Sequence, residues 1–415
     1  EISLGLVGSE MCIRDRFEKE NGFRLAKEQR DAVEKSMKSG MMVITGGPGT
    51  GKTTLIRAII TAAEQNGLEP ALMAPTGRAA KRLAISSGRD ADTIHKALEA
   101  SVRETGRTYF ERNEANPLEE DLIIVDEASM LDISLFYHLL CALKDGARLI
   151  LVGDIDQLPP VGAGEPLKDL MSWGYVPIVR LKRIFRQEEG SGIVENAAFI
   201  RKGEMCVPDE AGEFRIIYAA DDEDAYRIVM DLCRELNYGN EENKMLLQVL
   251  SPMYRGVCGV DHLNESLQEM IHGEKVPDGM KFFPGDKVMQ TRNDYEKGIY
   301  NGDVGTVWTA TPQKVFVRYF DKEVIYEGEE RFDLRLAYAV TVHKSQGSEY
   351  ETVIFILRSS QHNMLQRNLL YTGVTRARKN TILVTAPDAL RRALAIQHTG
   401  NRYSLFLPFL NHEAL

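Results

Sequence analysis

The chain has 415 residues, of which 43% are hydrophobic and 27% are charged, a composition typical of a globular protein with two to four domains. Its net charge of −10 argues against a protein that coats nucleic acid by bulk electrostatics, but not against one that holds a single strand in a narrow groove. No run of about 18 uncharged apolar residues predicts a transmembrane helix, and the absence of any CxxC pair among the five cysteines favours reduced thiols in a cytoplasmic protein with no membrane partner.

The first segment, residues 1–16 (EISLGLVGSEMCIRDR), matches neither a signal peptide nor a capped helix. It resembles translated sequencing-adapter sequence, and the chain starts at Glu1 rather than at a methionine. We therefore expect residues 1–16 to be an artefactual or linker segment, and the chain to be truncated at its N-terminus.

Residues 17–200 alternate short apolar runs with helical patterns, which predicts a doubly wound α/β domain. Each apolar run ends in polar residues, and open α/β sheets bind their ligands at the carboxyl ends of the strands. A segment at 100–120, containing GRTYFERN, is predicted to be a hairpin insertion. The expected parallel strands are MMVIT (41–45), EPALMAP (69–75), DLIIVDE (121–127) and ARLILVGD (147–154).

A second α/β domain is predicted from residues 201–281 and 334–415, with strands at 246–252, 352–357 and 381–386. Between its two parts, residues 282–333 contain short strands with period-two alternation (KVMQT, GTVWTA, KVFVRYF and EVIYE), separated by NGD, TPQ and FDK turns. This pattern predicts a small all-β barrel inserted into the second α/β domain.

The sequence GGPGTGKT, from Gly46 to Thr53, has the GxxxxGK[ST] pattern between a predicted strand and a predicted helix. The glycines allow backbone N–H groups to face a phosphate, and the helix N-terminus adds its positive dipole end. Lys52 is expected to reach the β- and γ-phosphates of ATP, and the Thr53 hydroxyl to bind Mg²⁺. The predicted nucleotide-binding residues of this loop are Gly47, Pro48, Gly49, Thr50, Gly51, Lys52, Thr53 and Thr54.

Two further strand ends carry polar residues suited to phosphate chemistry. Asp126 and Glu127 follow the strand LIIV; Asp126 is suited to hold Mg²⁺ and Glu127 to activate the attacking water as a general base. Gln157 follows the strand RLILVGD, and its amide can sense the γ-phosphate and the attacking water, or simply cap a loop.

Motif-length stretches in a defined order resemble the RecD-like branch of superfamily 1 helicases, of the stand-alone type. The resemblance implies two RecA-like P-loop motor domains with an inserted SH3-like barrel, and ATP-dependent 5′-to-3′ movement on single-stranded DNA. The stretches run from residue 25 to residue 380: LAKEQRDAV, GGPGTGKTT, APTGRAAKRL, DTIHKAL, VDEASMLD, VGDIDQLPPVGAG, LKRIFRQ, SPMYRGVCGVDHLN, FFPGDKVMQTRNDY, YNGDVGTV, LAYAVTVHKSQGSEY and LLYTGVTRARKN.

The resemblance also implies further roles in ATP chemistry. Gln29 would recognise the adenine base, and Glu349 would support the sugar of the nucleotide. Arg186 and Arg376 would act as arginine fingers, because a planar and permanently charged guanidinium suits the charge of a phosphoryl transition state.

Contacts to DNA are expected from loops that border a groove across both motor domains. Hydroxyls and cations suit phosphate contacts, and a histidine ring can stack on a base; Thr93 alternatively caps a helix, and His95 alternatively belongs to the core. Tyr295 and Tyr300 of the barrel are candidates for base stacking, whereas core packing is favoured for Trp308. The predicted DNA-binding residues are Pro75, Thr76, Arg78, Thr93, His95, Thr341, His343 and Lys344.

The resemblance implies single-stranded DNA and duplex junctions as partners, and a role in DNA repair or recombination. A missing N-terminal region is the expected site for protein partners of such a pathway. A RecD-type subunit of a multi-chain exonuclease complex and the helicase part of a relaxase remain alternatives. A regulatory ATP-binding switch is a third, although it predicts the loss of Glu127 or of an arginine finger, and both are present.

Overall fold

The computed structural model describes residues 18, 22, 24–102, 108–183, 191–277, 279–294, 296–320, 322–397 and 406–411. These residues group into two compact units, the first drawn from Glu1–Glu188 with Asn401–Leu415 and the second from Glu189–Gly400. Residues 191–200 therefore lie in the second unit, although the sequence pattern placed the domain boundary at residue 200.

The first unit is built on a six-stranded parallel sheet with the strand order β3-β2-β6-β7-β1-β8. Its strands consist largely of buried aliphatic residues, as expected for a parallel sheet covered on both faces. Its elements are α1 (Lys27–Lys38), β1 (Met41–Gly46), α2 (Lys52–Gln65), β2 (Pro70–Ala74), α3 (Gly77–Ser87), β3 (Asp92–Thr93), α4 (Ile94–Ala97), β4 (Ala100–Val102), β5 (Thr108–Phe110), β6 (Leu122–Val125), α5 (Ile133–Cys141), β7 (Arg148–Gly153), α6 (Pro166–Trp173) and β8 (Ile178–Leu181).

Alternation along β1 sends its side chains into two separate cores. Ile44 packs with Leu55 and Ile59 of α2 on one face of the sheet, whereas Val43 packs with Phe136 and Leu139 of α5 on the other. The predicted insertion at 100–120 contains the antiparallel pair β4–β5, in which Ala100 is opposite Phe110.

Strand register brings three loops to one edge of this sheet. Thr45 near the end of β1 pairs with Gly153 at the end of β7, and Val125 at the end of β6 pairs with Leu151 of β7. The residues that follow β1, β6 and β7 therefore meet at the carboxyl edge, where parallel α/β sheets place their ligands.

The second unit contains a five-stranded parallel sheet, β16-β10-β17-β18-β9, and a five-stranded antiparallel sheet, β14-β13-β12-β11-β15. The α/β fold class with an inserted β-domain is thus confirmed. Its elements are α7 (Gly192–Lys202), β9 (Phe214–Tyr218), α8 (Asp222–Glu235), α9 (Glu241–Leu246), β10 (Leu247–Ser251), α10 (Val260–His272), β11 (Lys287–Gln290), β12 (Val304–Ala310), β13 (Lys314–Arg318), β14 (Glu323–Glu327), β15 (Leu334–Leu336), β16 (Ala339–Thr341), β17 (Tyr350–Leu357), α11 (Arg367–Val374), β18 (Ala377–Thr385) and α12 (Pro387–Ala395).

The antiparallel sheet, which we call the inserted β-domain (Lys287–Leu336), has its own core, which includes Val307, Val317 and Tyr326. Strand β15 begins at Leu334 and pairs with β11, so the sheet extends beyond the predicted limit at residue 333. Trp308 follows the buried Val307 and faces the opposite side of the sheet, next to a bulge between Val307 and Thr309. Trp308 is 57% exposed with Arg318 over its ring, and the preference for core packing of this side chain was wrong.

Two adjacent buried charges join the inserted β-domain to the parallel sheet. Asp286 is fully buried and accepts hydrogen bonds from the side chains of Gln268 and Tyr338. Lys287 is also buried and donates to the Lys244 carbonyl at 2.7 Å. These contacts anchor the start of β11 to α10 and to the segment that precedes β10.

The last described helix, α13 (Phe406–Leu410), packs in the first unit, where Phe406 meets Phe136 with ring centroids 5.8 Å apart. The sequence pattern had assigned residues 334–415 to the second motor domain, so this segment lies elsewhere than expected. Among the described residues, no helix combines the length and the apolar character needed to cross a membrane.

Candidate functional site

The loop between β1 and α2 is tightly constrained. Gly49 and Gly51 have φ values of 72° and 78°, which glycine adopts without a steric penalty. A Cβ atom added at Gly46 would lie 2.6 Å from Thr50 Oγ1 and 2.9 Å from Leu181 Cβ. The backbone at these three positions therefore requires glycine, as a loop that wraps closely around a ligand does.

The lysine side chain of this loop hydrogen-bonds to carbonyl groups of the loop itself. Lys52 Nζ donates to the Gly46 carbonyl at 2.7 Å and to the Gly47 carbonyl at 3.0 Å, and Thr50 Oγ1 donates to the Gly47 carbonyl at 2.9 Å. Helix α2 starts at Lys52, has 14 residues and carries no acidic residue in its first turn. Its free N–H groups and positive dipole end form an anion-binding arrangement.

Two buried carboxylates follow β6. Asp126 and Glu127 are 5% and 4% exposed, and Asp126 Oδ1 accepts the Glu127 N–H at 2.9 Å. Burial, followed by the neighbouring Glu127 carboxylate, raises the pKa of Asp126, while Arg82 and Lys52 act in the opposite direction. Glu127 has a φ of 53°, a left-handed conformation that is uncommon for residues other than glycine and clusters at functional sites.

The loop after β7 contains an amide with an unused acceptor. Gln157 is buried, its Nε2 lies 3.5 Å from Asp154 Oδ2, and its Oε1 has no hydrogen-bond partner among the described residues. Ser129, two residues after Glu127, likewise has a buried hydroxyl without a partner in that part of the chain. Buried polar atoms are almost always hydrogen-bonded. These two atoms are therefore suited to bind a polar ligand, or a water that accompanies it, at this edge of the sheet.

Gln29, in α1, contacts the loop between β1 and α2. Its Nε2 lies 3.4 Å from the Gly51 carbonyl, and its Oε1 accepts the Ala26 N–H at the start of α1 at 3.0 Å. The structure thus brings Gln29, Lys52, Asp126, Glu127 and Gln157 to one edge of the first unit.

Oxygen donors for a divalent cation are present at this edge. Asp126 follows β6, and the half-buried Thr53 and Thr54 stand in the first turn of α2. The described residues contain no group of three or more His, Cys, Asp or Glu side chains arranged for a metal. One carboxylate with one hydroxyl fits Mg²⁺, which keeps several waters and shares its coordination with phosphates.

The remaining candidates for ATP chemistry belong to the second unit or lie outside the described residues, as Arg186 does. Arg376 is 3% exposed and donates to the carbonyls of Thr372 and Ser348, both at 3.1 Å. Glu349 Oε2 accepts from Arg378 Nε at 2.8 Å. Each of these two side chains therefore has a structural contact within its own unit.

The DNA-binding candidates of the first unit lie at helix starts near the same sheet edge. Thr76 caps α3 by accepting the Ala79 N–H at 3.3 Å, and Thr93 caps α4 by accepting the Lys96 N–H at 3.1 Å. His95 is half-buried, its ring lies 6.0 Å from that of Phe110, and burial lowers its pKa. The contact observed for Thr93 is thus the helix cap that was considered as the alternative role. Pro75 and Arg78 lie on either side of the Thr76 cap and are half-buried.

The DNA-binding candidates of the second unit adjoin a cavity of about 750 Å³. Thr341 Oγ1 accepts the Lys344 N–H at 3.3 Å, and Lys344 Nζ donates to Asn301 Oδ1 in the inserted β-domain at 2.6 Å. Burial and the nearby Arg335 charge lower the pKa of Lys344. His343 is half-buried beside them. The residues that line the cavity include Tyr254, Lys281, Phe332, Arg335, Thr341 and Lys344.

Sequence patterns did not single out Arg82, Tyr254, Lys281 or Arg335. Arg82 pairs with Glu127 at 2.5 Å, and Arg335 lies over the Tyr254 ring at 5.9 Å from its centroid. Tyr254 and Arg82 each occur inside a motif-length stretch that was recognised, but their contacts join segments far apart in sequence. Spacing alone holds no signal for such pairs.

Three family models match the chain. An AAA domain model matches residues 29–163, an ATP-dependent RecD-like DNA helicase SH3 domain model matches residues 263–319, and a UvrD-like helicase C-terminal domain model matches residues 336–384. Together these models cover the site edge of the first unit, much of the inserted β-domain and the end of the second unit.

Curated relatives extend this similarity over most of the chain. The ATP-dependent RecD2 DNA helicase of Deinococcus radiodurans is 38% identical over 385 residues, which are 92% of this chain and 52% of that protein. The RecBCD enzyme subunit RecD of Mycolicibacterium smegmatis is 34% identical over 421 residues, covering 91% of this chain and 75% of the relative. The chain thus spans about half the length of the first relative and three quarters of the second.

Solved structures show the same fold at lower identity. A Pif1 helicase from Bacteroides in complex with ADP-AlF3 and ssDNA superposes with a TM-score of 0.57 at 21% identity, covering 94% of this chain and 97% of the other. Pif1 helicase from Candida albicans superposes with a TM-score of 0.55 at 19% identity, covering 94% and 99%.

Proposed function

This chain belongs to the family of RecD-like helicases, and from that premise we propose that it is the motor of a DNA helicase that couples ATP hydrolysis to 5′-to-3′ movement along single-stranded DNA. The observation that carries the proposal is the single sheet edge where Lys52, Asp126, Glu127 and Gln157 follow three neighbouring strands. The proposed DNA strand and the proposed direction of movement rest on the resemblance to RecD-like helicases.

ATP occupies the loop Gly47–Thr54 in this proposal. Backbone N–H groups bind the phosphates, and Lys52 turns from the Gly46 and Gly47 carbonyls to the β- and γ-phosphates, which offer a stronger charge-assisted hydrogen bond. Gln29 lies beside this loop and binds the adenine base. Mg²⁺, when bound through Thr53 and Asp126, supplies positive charge that offsets the charge of the phosphates.

Hydrolysis then uses side chains already at the edge. Glu127 takes a proton from the attacking water, and the unused Oε1 of Gln157 accepts a hydrogen bond that orients this water. Arg186 and Arg376 act as arginine fingers and Glu349 supports the sugar. For Arg376 this requires exchange of its contacts to the Thr372 and Ser348 carbonyls for a phosphate oxygen.

The DNA strand crosses the helix starts of the first unit at Pro75, Thr76, Arg78, Thr93 and His95. In the second unit it runs over Thr341, His343 and Lys344, beside the 750 Å³ cavity. Tyr254 and Phe332, 41% and 70% exposed, offer stacking surfaces, and Lys281 and Arg335 offer cations. Aromatic rings interleaved with cations are the usual means of holding a single strand.

The direct test is unwinding of partial duplexes with either a 5′ or a 3′ single-stranded tail. We expect unwinding of 5′-tailed substrates that needs ATP and Mg²⁺. Lys52→Ala should abolish turnover, and Glu127→Gln should retain ATP binding while hydrolysis slows by about 10²-fold or more. Unwinding of 3′-tailed substrates alone would disprove the proposed direction, and wild-type hydrolysis by Glu127→Gln would disprove the assigned base.

We also propose that the inserted β-domain helps to hold the DNA strand, and this role can be tested separately. Thr291 N donates to the Asp333 carbonyl at 2.7 Å, so residues 292–332 can be replaced by Asn-Gly to close β11 and β15 as a two-residue hairpin. This excision keeps Asp286 and Lys287 in place. We expect ATP binding to survive while affinity for single-stranded DNA and unwinding both fall. Tight strand binding with normal unwinding would rule out a role of the inserted β-domain in holding the strand.

A second candidate is a RecD-type subunit of a multi-chain exonuclease complex, favoured by the 75% coverage of the Mycolicibacterium smegmatis relative, which is named a RecBCD subunit. In either setting we place the motor in DNA repair or recombination, acting at duplex junctions. Unwinding by the isolated chain supports the stand-alone helicase. Hydrolysis without unwinding, restored by added partner subunits, would support the second candidate.

A further inference from the structure

The candidate general base is held by an arginine from a neighbouring helix. Arg82 Nη2 lies 2.5 Å from Glu127 Oε1 and 3.9 Å from Asp126 Oδ2. Its side chain is 28% exposed, whereas those of the two carboxylates are 6% and 7% exposed. Lys52, the other cation whose charge acts on Asp126, directs its Nζ to loop carbonyls. Among the described residues, Arg82 thus contacts both buried carboxylates.

This contact engages Oε1, one of the two oxygens through which Glu127 could accept a proton. A general base must present a carboxylate oxygen within hydrogen-bonding distance of the water that it activates, and Glu127 Oε1 is bound to Arg82 at a short charge-assisted distance. A displacement of Arg82 by 1 to 2 Å is enough to exceed hydrogen-bonding distance.

The helix that carries Arg82 also carries strand-binding candidates. Helix α3 begins after the Thr76 cap, and Arg78 and Arg82 are four residues apart, so they lie on the same helix face one turn from each other. A phosphate bound at Thr76 or Arg78 would therefore lie about one helical turn from Arg82.

The packing of α3 holds the backbone of the helix. Its N-terminal half rests on the sheet through a cluster of three alanines, Ala74, Ala79 and Ala80, and Leu83, next to Arg82, belongs to the main core of the unit. The Arg82 side chain is 28% exposed. A strand bound at this helix would therefore act on the Arg82 guanidinium rather than move the backbone at Leu83.

We propose that Arg82 is a latch: it holds Glu127 in an inactive ion pair until single-stranded DNA, bound at the N-terminal end of α3, displaces the Arg82 side chain and releases the carboxylate. Arg82 is then the positioning residue that couples strand binding to hydrolysis. This inference rests on the proposed ATP hydrolysis and strand binding, and it adds the means by which one controls the other.

The test is steady-state ATP hydrolysis with and without saturating oligothymidylate, in Arg82→Gln and Arg82→Lys. We expect Arg82→Gln to raise the DNA-independent kcat about tenfold, equivalent to about 1.4 kcal/mol, while the DNA-stimulated kcat and the KM for ATP stay within about twofold. Arg82→Lys retains the charge and should keep most of the stimulation. The matched control is Arg89→Gln, which removes an exposed ion pair with Glu64 just beyond α3 and should behave as wild type.

A double-mutant cycle separates a latch from a general structural effect. In a Glu127→Gln background, Arg82→Gln should no longer raise the DNA-independent rate, because the group that it releases is gone. A fall in both rates for Arg82→Gln with unchanged thermal stability would mean that Arg82 orients the base, and unchanged stimulation would mean that it has no coupling role. Either result overturns the inference. If Arg82→Gln fails to fold, Arg82→Lys decides: a stimulation ratio equal to that of wild type together with a lower kcat would refute the latch. A wild-type chain without DNA-stimulated hydrolysis would instead refute the proposed function.

Discussion

The joint between the inserted β-domain and the parallel sheet can be tested by removing one carboxylate, in Asp286→Ala. Asp286 accepts four hydrogen bonds: Oδ2 from Gln268 Nε2 at 2.5 Å and Phe283 N at 2.7 Å, and Oδ1 from His272 Nε2 at 2.8 Å and Tyr338 Oη at 2.9 Å. Gln268 and Tyr338 are buried and Phe283 is half-buried, whereas the His272 side chain is 18% exposed. The variant therefore leaves about three donors that have little access to water without an acceptor.

The expected loss follows from these contacts. An unsatisfied buried donor costs about 1–3 kcal/mol, and the low end applies because Asp286→Ala also removes a desolvated charge; the sum is about 3 kcal/mol. Asp286→Asn keeps an oxygen for His272 and Tyr338, and a flipped Gln268 amide can face its new NH₂ group. Only the Phe283 N–H then loses its acceptor, which costs about 1 kcal/mol.

The assay is urea unfolding followed by tryptophan fluorescence in a Trp173→Phe background. The chain has two tryptophans, so Trp308 then reports on the inserted β-domain alone. With an m-value of about 2 kcal/mol per molar urea, Asp286→Ala should lower the midpoint by about 1.5 M and Asp286→Asn by about 0.5 M. Glu269→Ala, an exposed change on the same helix, should stay within about 0.5 kcal/mol of wild type.

An Asp286→Ala midpoint within the error of the Glu269→Ala control would refute this reasoning. It would mean that water or local rearrangement satisfies the four donors, and that the joint is held by the Lys287 contacts instead. Equal losses in the alanine and asparagine variants would contradict the assignment of separate partners to the two carboxylate oxygens.

Three further changes probe other contacts. Arg376→Ala should cut the rate of ATP hydrolysis steeply with little change in ATP affinity, because an arginine finger stabilises charge in the transition state. Near-normal turnover would mean that Arg376 has only a structural role, through its buried contacts to Thr372 and Ser348. Gln29→Ala should weaken ATP binding more than GTP binding, measured by competition, and equal losses would restrict Gln29 to bracing the loop at Gly51. Burial lowers the pKa of His95, so the folded state disfavours its protonation and stability should fall as pH drops through about 6.5; His95→Gln should flatten the thermal-unfolding profile there, and an unchanged profile would contradict this.

Local sequence patterns were enough to predict that the loops after β1, β6 and β7 carry the candidate site residues, because each motif spans only a few neighbouring residues. The phosphate loop needs glycine at fixed positions and a lysine at the start of a helix, and all of these lie within eight residues. The Asp126–Glu127 pair and Gln157 each follow a continuous aliphatic strand, and such strands in alternation with helices predict a parallel sheet. The carboxyl ends of neighbouring parallel strands meet at one edge, so the meeting of these loops followed from the fold class.

Contacts between distant segments could not be obtained in this way. The ion pair of Arg82 with Glu127 joins residues 45 apart, and the hydrogen bond of Gln29 to Gly51 joins residues 22 apart. No rule of residue spacing predicts either contact, because the approach of a helix to a sheet depends on how every intervening side chain packs. The exposure of Trp308 is a different case: alternation after the buried Val307 assigns Trp308 to the outer face, and the preference for core packing rested on its aromatic character alone.

The sequence by itself therefore determined the α/β class, the inserted β-domain and the glycine-dependent loop between β1 and α2, since propensity, periodicity and glycine requirements act over a few neighbouring residues. Only the tertiary structure decided which cation holds Glu127, that the sheet of the inserted β-domain continues to Leu336, and that Asp286 and Lys287 anchor it. These depend on burial and on hydrogen-bond partners brought from distant segments, and a buried charge is tolerated only where the whole fold supplies its partners.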